Sequence, residues 1–300
     1  MDKEALIHFI GGALGGTTGT CLTCPLEVVK TRMQSSNYGT SRNAAYAFAF
    51  YTKISITFSP PNCLFSFFKQ IIRLEGFKAM YKGLLPNLVG VAPSKAIYFY
   101  TYSTCKRLFN DSDMFLPNTA ITHMLSAAFA GFVTSTAINP VWLVKTRLQL
   151  HQGPLSIRNC IKKIYKNEGI KGFYRGVTAS YVGVSETIIQ FVLYENFRSI
   201  IDEIEFSQEK TRFANFMLAG GTAKFCACVI TYPHEVVRTR LREENSRAKG
   251  FFRTFASLYR EGGFRILYRG ISVQLLRSVP NTAITLGTYE VVVYSLHAYV

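Results

Sequence analysis

Three times the chain ends a long apolar run with the same short phrase: CPLEVVKTRMQ from Cys24, NPVWLVKTRLQ from Asn139 and YPHEVVRTRLR from Tyr232. Residues 5–26 hold no Asp, Glu, Lys or Arg across 22 positions, and residues 114–144 hold none across 31. A helix needs about 20 residues to cross hydrocarbon. Four more segments are apolar around embedded charges: 83–105 around Lys95, 176–194 around Glu186, 213–234 around Lys224 and 270–289 around Arg277. An ion at the bilayer centre costs about 2.5 to 3.5 kcal/mol even on lenient scales, so these charges face a wet interior. The expectation is an all-α membrane protein with six transmembrane helices, an even number that leaves both termini on one side.

Composition agrees, since 48% hydrophobic against 17% charged residues is lean in charge for a soluble chain. The net charge of +16 fits anionic partners and also the positive bias of membrane loops. No soluble basic domain is visible, so no nucleic-acid partner is expected. Seven cysteines sit largely inside apolar segments, with neither zinc spacing nor a disulfide framework, so no metal is expected. The start, MDKEALIHF, resembles neither a signal peptide nor a transit sequence. An enzyme is not expected: HEVVR lacks the second histidine of HExxH, no GxxxxGK occurs, and no cofactor motif is present.

The repeat fixes the architecture. Pro25, Pro140 and Pro233 lie 115 and 93 residues apart, whereas the Glu-Gly pairs at Glu75, Glu168 and Glu261 are each 93 apart. The excess of 22 residues therefore falls in a loop insertion near 36–60. Each Glu-Gly is followed by Tyr, a cation and Gly, ending at Gly83, Gly176 and Gly270, with one extra residue in the third copy. Three units result, at 1–112, 113–206 and 207–300, each of two spans and a loop. Because two spans return the chain to its starting side, the units insert in parallel and can close as a ring around a pseudo-threefold axis. Small residues four apart favour close helix contact in lipid, as at Gly11, Gly15 and Gly19 and at Ala127, Gly131 and Ser135. Lys224 takes the place matching Gly16 and Gly131, which suits a pore-facing or snorkelling role.

Within the phrase, Pro25, Pro140 and Pro233 each remove a backbone donor and kink the helix. Glu27 and Lys30 stand on one face, with Gln34 a turn further on. Around a threefold axis, the acid of one helix meets the cation of the next and closes one mouth of a pore. Two copies of P-x-[DE]-x-x-[KR]-x-[KR] and a middle copy with Trp142 in place of the acid, each followed by E-G and [YF]-[KR]-G, resemble the mitochondrial carrier family over essentially the whole chain. The resemblance implies six tilted helices and short matrix helices around a central cavity in the inner mitochondrial membrane. It also implies alternating access, a monomer, cardiolipin among the surrounding lipids, and termini facing the intermembrane space.

By that resemblance, Glu27, Lys30, Trp142, Lys145, Glu235 and Arg238 form a matrix gate, braced by Gln34 and Gln149, with Arg242 replacing the third glutamine. Trp142 leaves two carboxylates against three cations. The indole either packs at the gate or stacks on a nucleobase, worth about 1 to 3 kcal/mol. A second, cytoplasmic gate is implied by Lys106, Glu195, Arg198 and Glu290, but Ser103 and Val293 depart from its pattern and leave two ion pairs at most.

Residues that differ between the copies read the cargo. They are Lys95, Gly183, Val184, Glu186, Thr187 and Arg277, with Lys224 as a further cation. Pro93 and Pro280 match each other, and a one-residue shift leaves Ser185 or Glu186 as their counterpart. Lys95 and Arg277 suit phosphates, while Glu186 either accepts from a base N–H or neutralises a neighbour. Within the family the chain is most similar to the pyrimidine nucleotide carriers, through the Trp-bearing phrase, YPHEVVRTRLREE and the PNTAI segment. That resemblance implies exchange of UTP, CTP, TTP and their diphosphates between cytosol and matrix. The alternatives are another nucleotide-like solute (FAD, NAD or folate) or a carrier-fold protein that does not transport.

Overall fold

The computed structural model describes residues 3–35, 61–111, 120–204, 209–244 and 250–299. Six long helices dominate it: α1 (Lys3–Gln34), α3 (Leu84–Asp111), α4 (Ala120–Leu150), α6 (Val177–Ile204), α7 (Glu209–Arg242) and α10 (Ile271–Tyr299). Between the members of each pair lie shorter helices: α2 (Pro61–Glu75) with a 3-10 turn at Phe77–Tyr81, α5 (Ile157–Gly172), and α8 (Phe251–Gly262) with α9 (Phe264–Leu267). No strand occurs among the described residues. The insertion at 36–60 lies outside them.

The tightest pairs join different repeats: α1 packs on α10, α3 on α4, and α6 on α7. Small residues make the first of these seams possible. A Cβ added to Gly15 would lie 2.6 Å from the Thr285 carbonyl oxygen, and one added to Gly11 would lie 2.8 Å from Val293. Gly12 and Gly16, by contrast, face open space. At Gly131 a Cβ would come within 3.2 Å of Val184, so this position packs α4 on α6.

Pro25, Pro140 and Pro233 all lie inside continuous helical segments. Beyond them α1, α4 and α7 are almost wholly buried: Val28, Val29, Arg32, Leu143, Gln149, Val236 and Val237 are at most 2% exposed. The phrase therefore marks the closed end of the ring.

One expectation changes. Only Ile121–Leu150, among the described residues, is long and apolar enough by itself to cross a membrane. The remaining long helices dilute their hydropathy with polar residues because each turns one face to a central cavity. Amphipathic spans of this kind are legible from their repeat rather than from mean hydropathy.

The turns also correct the register. Gly83, Gly176 and Gly270 share left-handed φ angles of 80°, 79° and 89°, a region glycine enters without steric cost. Counted from them, Pro93, Glu186 and Pro280 are equivalent, with no shift in α6. Upstream, the left-handed positions are Gly76, Gly169 and Gly263. The residues before them are Glu75, Glu168 and Gly262. Glu261 is thus not the structural counterpart of the first two glutamates, because the extra residue displaces it by one place.

Candidate functional site

A cavity of about 550 Å³ opens above the closed end, and its walls come from all three repeats. Five cations (Lys30, Lys145, Arg238, Arg242 and Arg277) line it against three carboxylates (Glu27, Glu186 and Glu235). Gly183, Val184 and Thr187 come from α6, and Gln274 and Asn281 from α10.

The floor is a set of ion pairs that join α1 to α7 and to α4. Lys30 of α1 pairs with Glu235 of α7, and Lys145 of α4 pairs with Glu27 of α1. Both pairs are largely buried, and each has a polar clasp one turn further along. Thr239 donates to Gln34 Oε1 at 2.8 Å beneath the first, and Thr31 donates to Gln149 Oε1 at 2.9 Å beneath the second. Gln34 also donates to the Tyr232 hydroxyl at 3.0 Å, and that hydroxyl donates to the Arg269 carbonyl at 3.1 Å. The clasp thereby ties the gate to the turn that starts α10. Gln149 Nε2 has no such partner.

The third seam, between α4 and α7, is built differently. Trp142 replaces the acid, and its indole lies under Lys145 Nζ at 4.8 Å from the ring centroid, a cation–π contact. Gly90 of α3 packs against this stretch of α4: a Cβ there would come within 3.0 Å of Val141 and within an ordinary 3.7 Å of the indole. Arg238, with no acid across the seam, turns to Glu235 of its own helix at 3.4 Å. Below it Arg242 donates to Asn139 Oδ1 at 2.8 Å and to Ser180 Oγ at 3.3 Å. Thr146, the counterpart of Thr31 and Thr239, donates only to the Trp142 carbonyl of its own helix, at 2.8 Å. Thus two seams are latched by ion pairs and the third is held by neutral acceptors and packing.

The predicted cavity residues take definite places. Arg277 reaches the floor and pairs with Glu27 Oε2 at 3.1 Å, but this oxygen and Arg277 Nε both lack a hydrogen bond. Glu186 lines the cavity and pairs with Lys224 at 2.7 Å. Lys224 is about half exposed and stands outside the lining. Lys95 is exposed as well and also lies outside it, next to Ser94, which does line the cavity. The phosphate-binding cluster of Lys95, Lys224 and Arg277 is therefore not assembled on this floor: the helical register leaves Val91 and Ser94 facing inward on α3.

At the opposite mouth, Lys106 and Glu195 make no ion pair among the described residues. Arg198 is exposed on α6, and the side chain of Glu290 lies outside the described residues.

Several functional residues are not evident in the sequence. Asn87 accepts from Lys145 at 2.9 Å, and Asn139 donates to the Phe173 carbonyl at 2.7 Å while accepting from Arg242. The residue before two of the three prolines, Asn139 and Tyr232, fastens the floor to the glycine turn of its own repeat; Cys24, before Pro25, has no such bond among the described residues. Its signal is faint: one polar or aromatic residue in an apolar run.

Outside the spans, a second tier locks the short helices. Arg32 holds Glu75 through two bonds of 2.6 and 2.9 Å, and Lys82 joins the same carboxylate. Burial pushes the Glu75 carboxyl up, but the bonds and charges of Arg32 and Lys82 outweigh it and hold it below the ordinary range. In the second repeat Glu168 bridges Arg147 at 2.6 Å and Arg175 at 3.1 Å. The third repeat has Gly262 at this place, with Ile266 packed against it, and Arg240 Nε is buried without a hydrogen bond.

The family model described as mitochondrial carrier protein matches residues 2–113, 117–204 and 209–299. Solute carrier family 25 member 36 of Gallus gallus is 46% identical over 98% of this chain and 99% of its own length. Solute carrier family 25 member 33 of Homo sapiens is 45% identical over 99% and 97%. The mitochondrial pyrimidine nucleotide transporter RIM2 of Saccharomyces cerevisiae is 36% identical over 96% and 85%. With its threefold gate, central cavity and these matches, the chain belongs to the mitochondrial carrier family.

Proposed function

We propose that the chain exchanges pyrimidine nucleoside di- and triphosphates, among them UTP, CTP and TTP, across the inner mitochondrial membrane as a monomer. The name of the yeast relative supports the substrate class. The observation that carries it in this molecule is the cavity lining, where five cations face three carboxylates. On this reading the open mouth faces the cytosol, the ion-pair floor is the gate to the matrix, and the termini face the intermembrane space.

The geometry supplies a coupling step. Arg277 holds Glu27 without a well-formed hydrogen bond, whereas a guanidinium binds phosphate through two parallel bonds. A nucleotide phosphate therefore competes well for Arg277, drawing it off Glu27 and releasing the tie between α10 and α1. Binding energy spent in this way favours the occluded state over the open ones, as exchange requires. Gly183, Val184 and Thr187 then border the space left for the nucleoside.

Counter-exchange in liposomes tests the proposal. The unaltered protein takes up radiolabelled UTP against internal UTP, and Arg277→Ala abolishes it. Normal exchange by that variant rejects the mechanism, and exchange of FAD, NAD or folate in place of pyrimidine nucleotides rejects the substrate class.

A further inference from the structure

The unlatched seam has an unbalanced charge. Lys30 and Lys145 each face a carboxylate on the next helix and are 9% and 12% exposed, whereas the equivalent Arg238 is 31% exposed and lines the cavity. Its one ion pair, 3.4 Å to Glu235 Oε1, is shared with a carboxylate whose other oxygen belongs to Lys30. One turn deeper Arg242 is 6% exposed, bonds only to the neutral Asn139 and Ser180, and keeps Nε unsatisfied. A buried guanidinium without an anion is costly. Trp142, which occupies the acid's place, offers an indole face to Lys145 and no acceptor to Arg238.

We propose that this position is a phosphate subsite: a phosphate of the transported nucleotide binds Arg238 in the place of the missing third carboxylate. The inference rests on the nucleotide-exchange reading and deepens it. In it the solute completes the gate. The empty floor has two interhelical latches, and the loaded floor gains a third anion bridging α4 and α7 over Arg242. The chemistry recognised is a phosphoryl group, so affinity follows phosphate number more than base identity.

The test compares Trp142→Glu with Trp142→Gln, which match in shape and differ in charge. A glutamate there supplies the absent acid and competes with phosphate for Arg238. In reconstituted exchange, KM for UTP is expected to be at least tenfold higher in W142E than in W142Q, with kcat less affected. In detergent, W142E alone is expected to unfold at a higher temperature than W142Q, and UTP or inorganic pyrophosphate to stabilise it less. Equal KM values and equal ligand-induced shifts in the two variants overturn the subsite. If both lose the fold, Arg238→Lys and Arg238→Gln in the native background decide: a graded loss of UTP and pyrophosphate binding, Gln beyond Lys, supports it, and unchanged binding overturns it. If the unaltered protein ignores every pyrimidine nucleotide, the functional reading fails; pyrophosphate alone then judges the subsite by the same difference between W142E and W142Q.

Discussion

The two seams that α1 makes at the closed end, and the one made without it between α4 and α7, solve the same packing problem by different chemistry. On either side of α1 a buried Lys–Glu pair lies over a threonine–glutamine clasp. Between α4 and α7 a tryptophan, an under-partnered arginine and an arginine on neutral acceptors take those places. The contrast shows that a threefold gate does not need three equal latches. One seam can be given up to packing and left electropositive, provided the other two hold the ring shut.

Breaking a latched seam is expected to have the largest effect. Glu27→Ala leaves Lys145 and Arg277 without their carboxylate, and stranding a buried charge costs about 3 to 5 kcal/mol. Thermal unfolding in detergent should show this loss. Arg238→Ala, which removes a side chain about one-third exposed and paired only within its own helix, is expected to cost about 1 kcal/mol or less. Equal losses from the two changes would erase the distinction between the seams.

The second tier sharpens the comparison at a smaller scale. Glu168→Gln removes a carboxylate shared by Arg147 and Arg175 and is expected to cost about 1 to 3 kcal/mol. Glu261→Gln, exposed and one place out of register, is expected to stay within about 0.5 kcal/mol of the unaltered protein.

The smallest expected effect is a pH dependence. Because the folded Glu75 carboxyl titrates below its unfolded value, it contributes stability above an ordinary glutamate pKa of about 4.3. That contribution is lost as pH falls through the folded pKa. Unfolding temperatures of Glu75→Gln and the unaltered protein should therefore converge below about pH 4. A gap that stays constant to lower pH would remove the charge from the account of Glu75.

Much of this was legible in the residues. Proline, acid and cation recur at fixed spacing, so the two ion pairs of the floor could be read before any coordinates, as could the place of Trp142 where an acid is missing. The third glutamate was misleading, because Glu261 keeps the 93-residue spacing while the left-handed glycine moves to Gly263. Spacing counts residues, whereas packing counts turns. Lys95 shows the same limit: a charge in an apolar run signals a wet environment, but only the helical register decides whether it reaches this cavity. Asn87 and Asn139 were silent for another reason, since their partners lie tens of residues away on other helices.

The most direct test is a set of double-mutant cycles on unfolding free energy across the three seams. The account predicts coupling of about 1 kcal/mol or more for Lys30 with Glu235 and for Lys145 with Glu27, and coupling near zero for Trp142 with Arg238. Comparable coupling at all three seams, or none at the two that α1 makes, would contradict it.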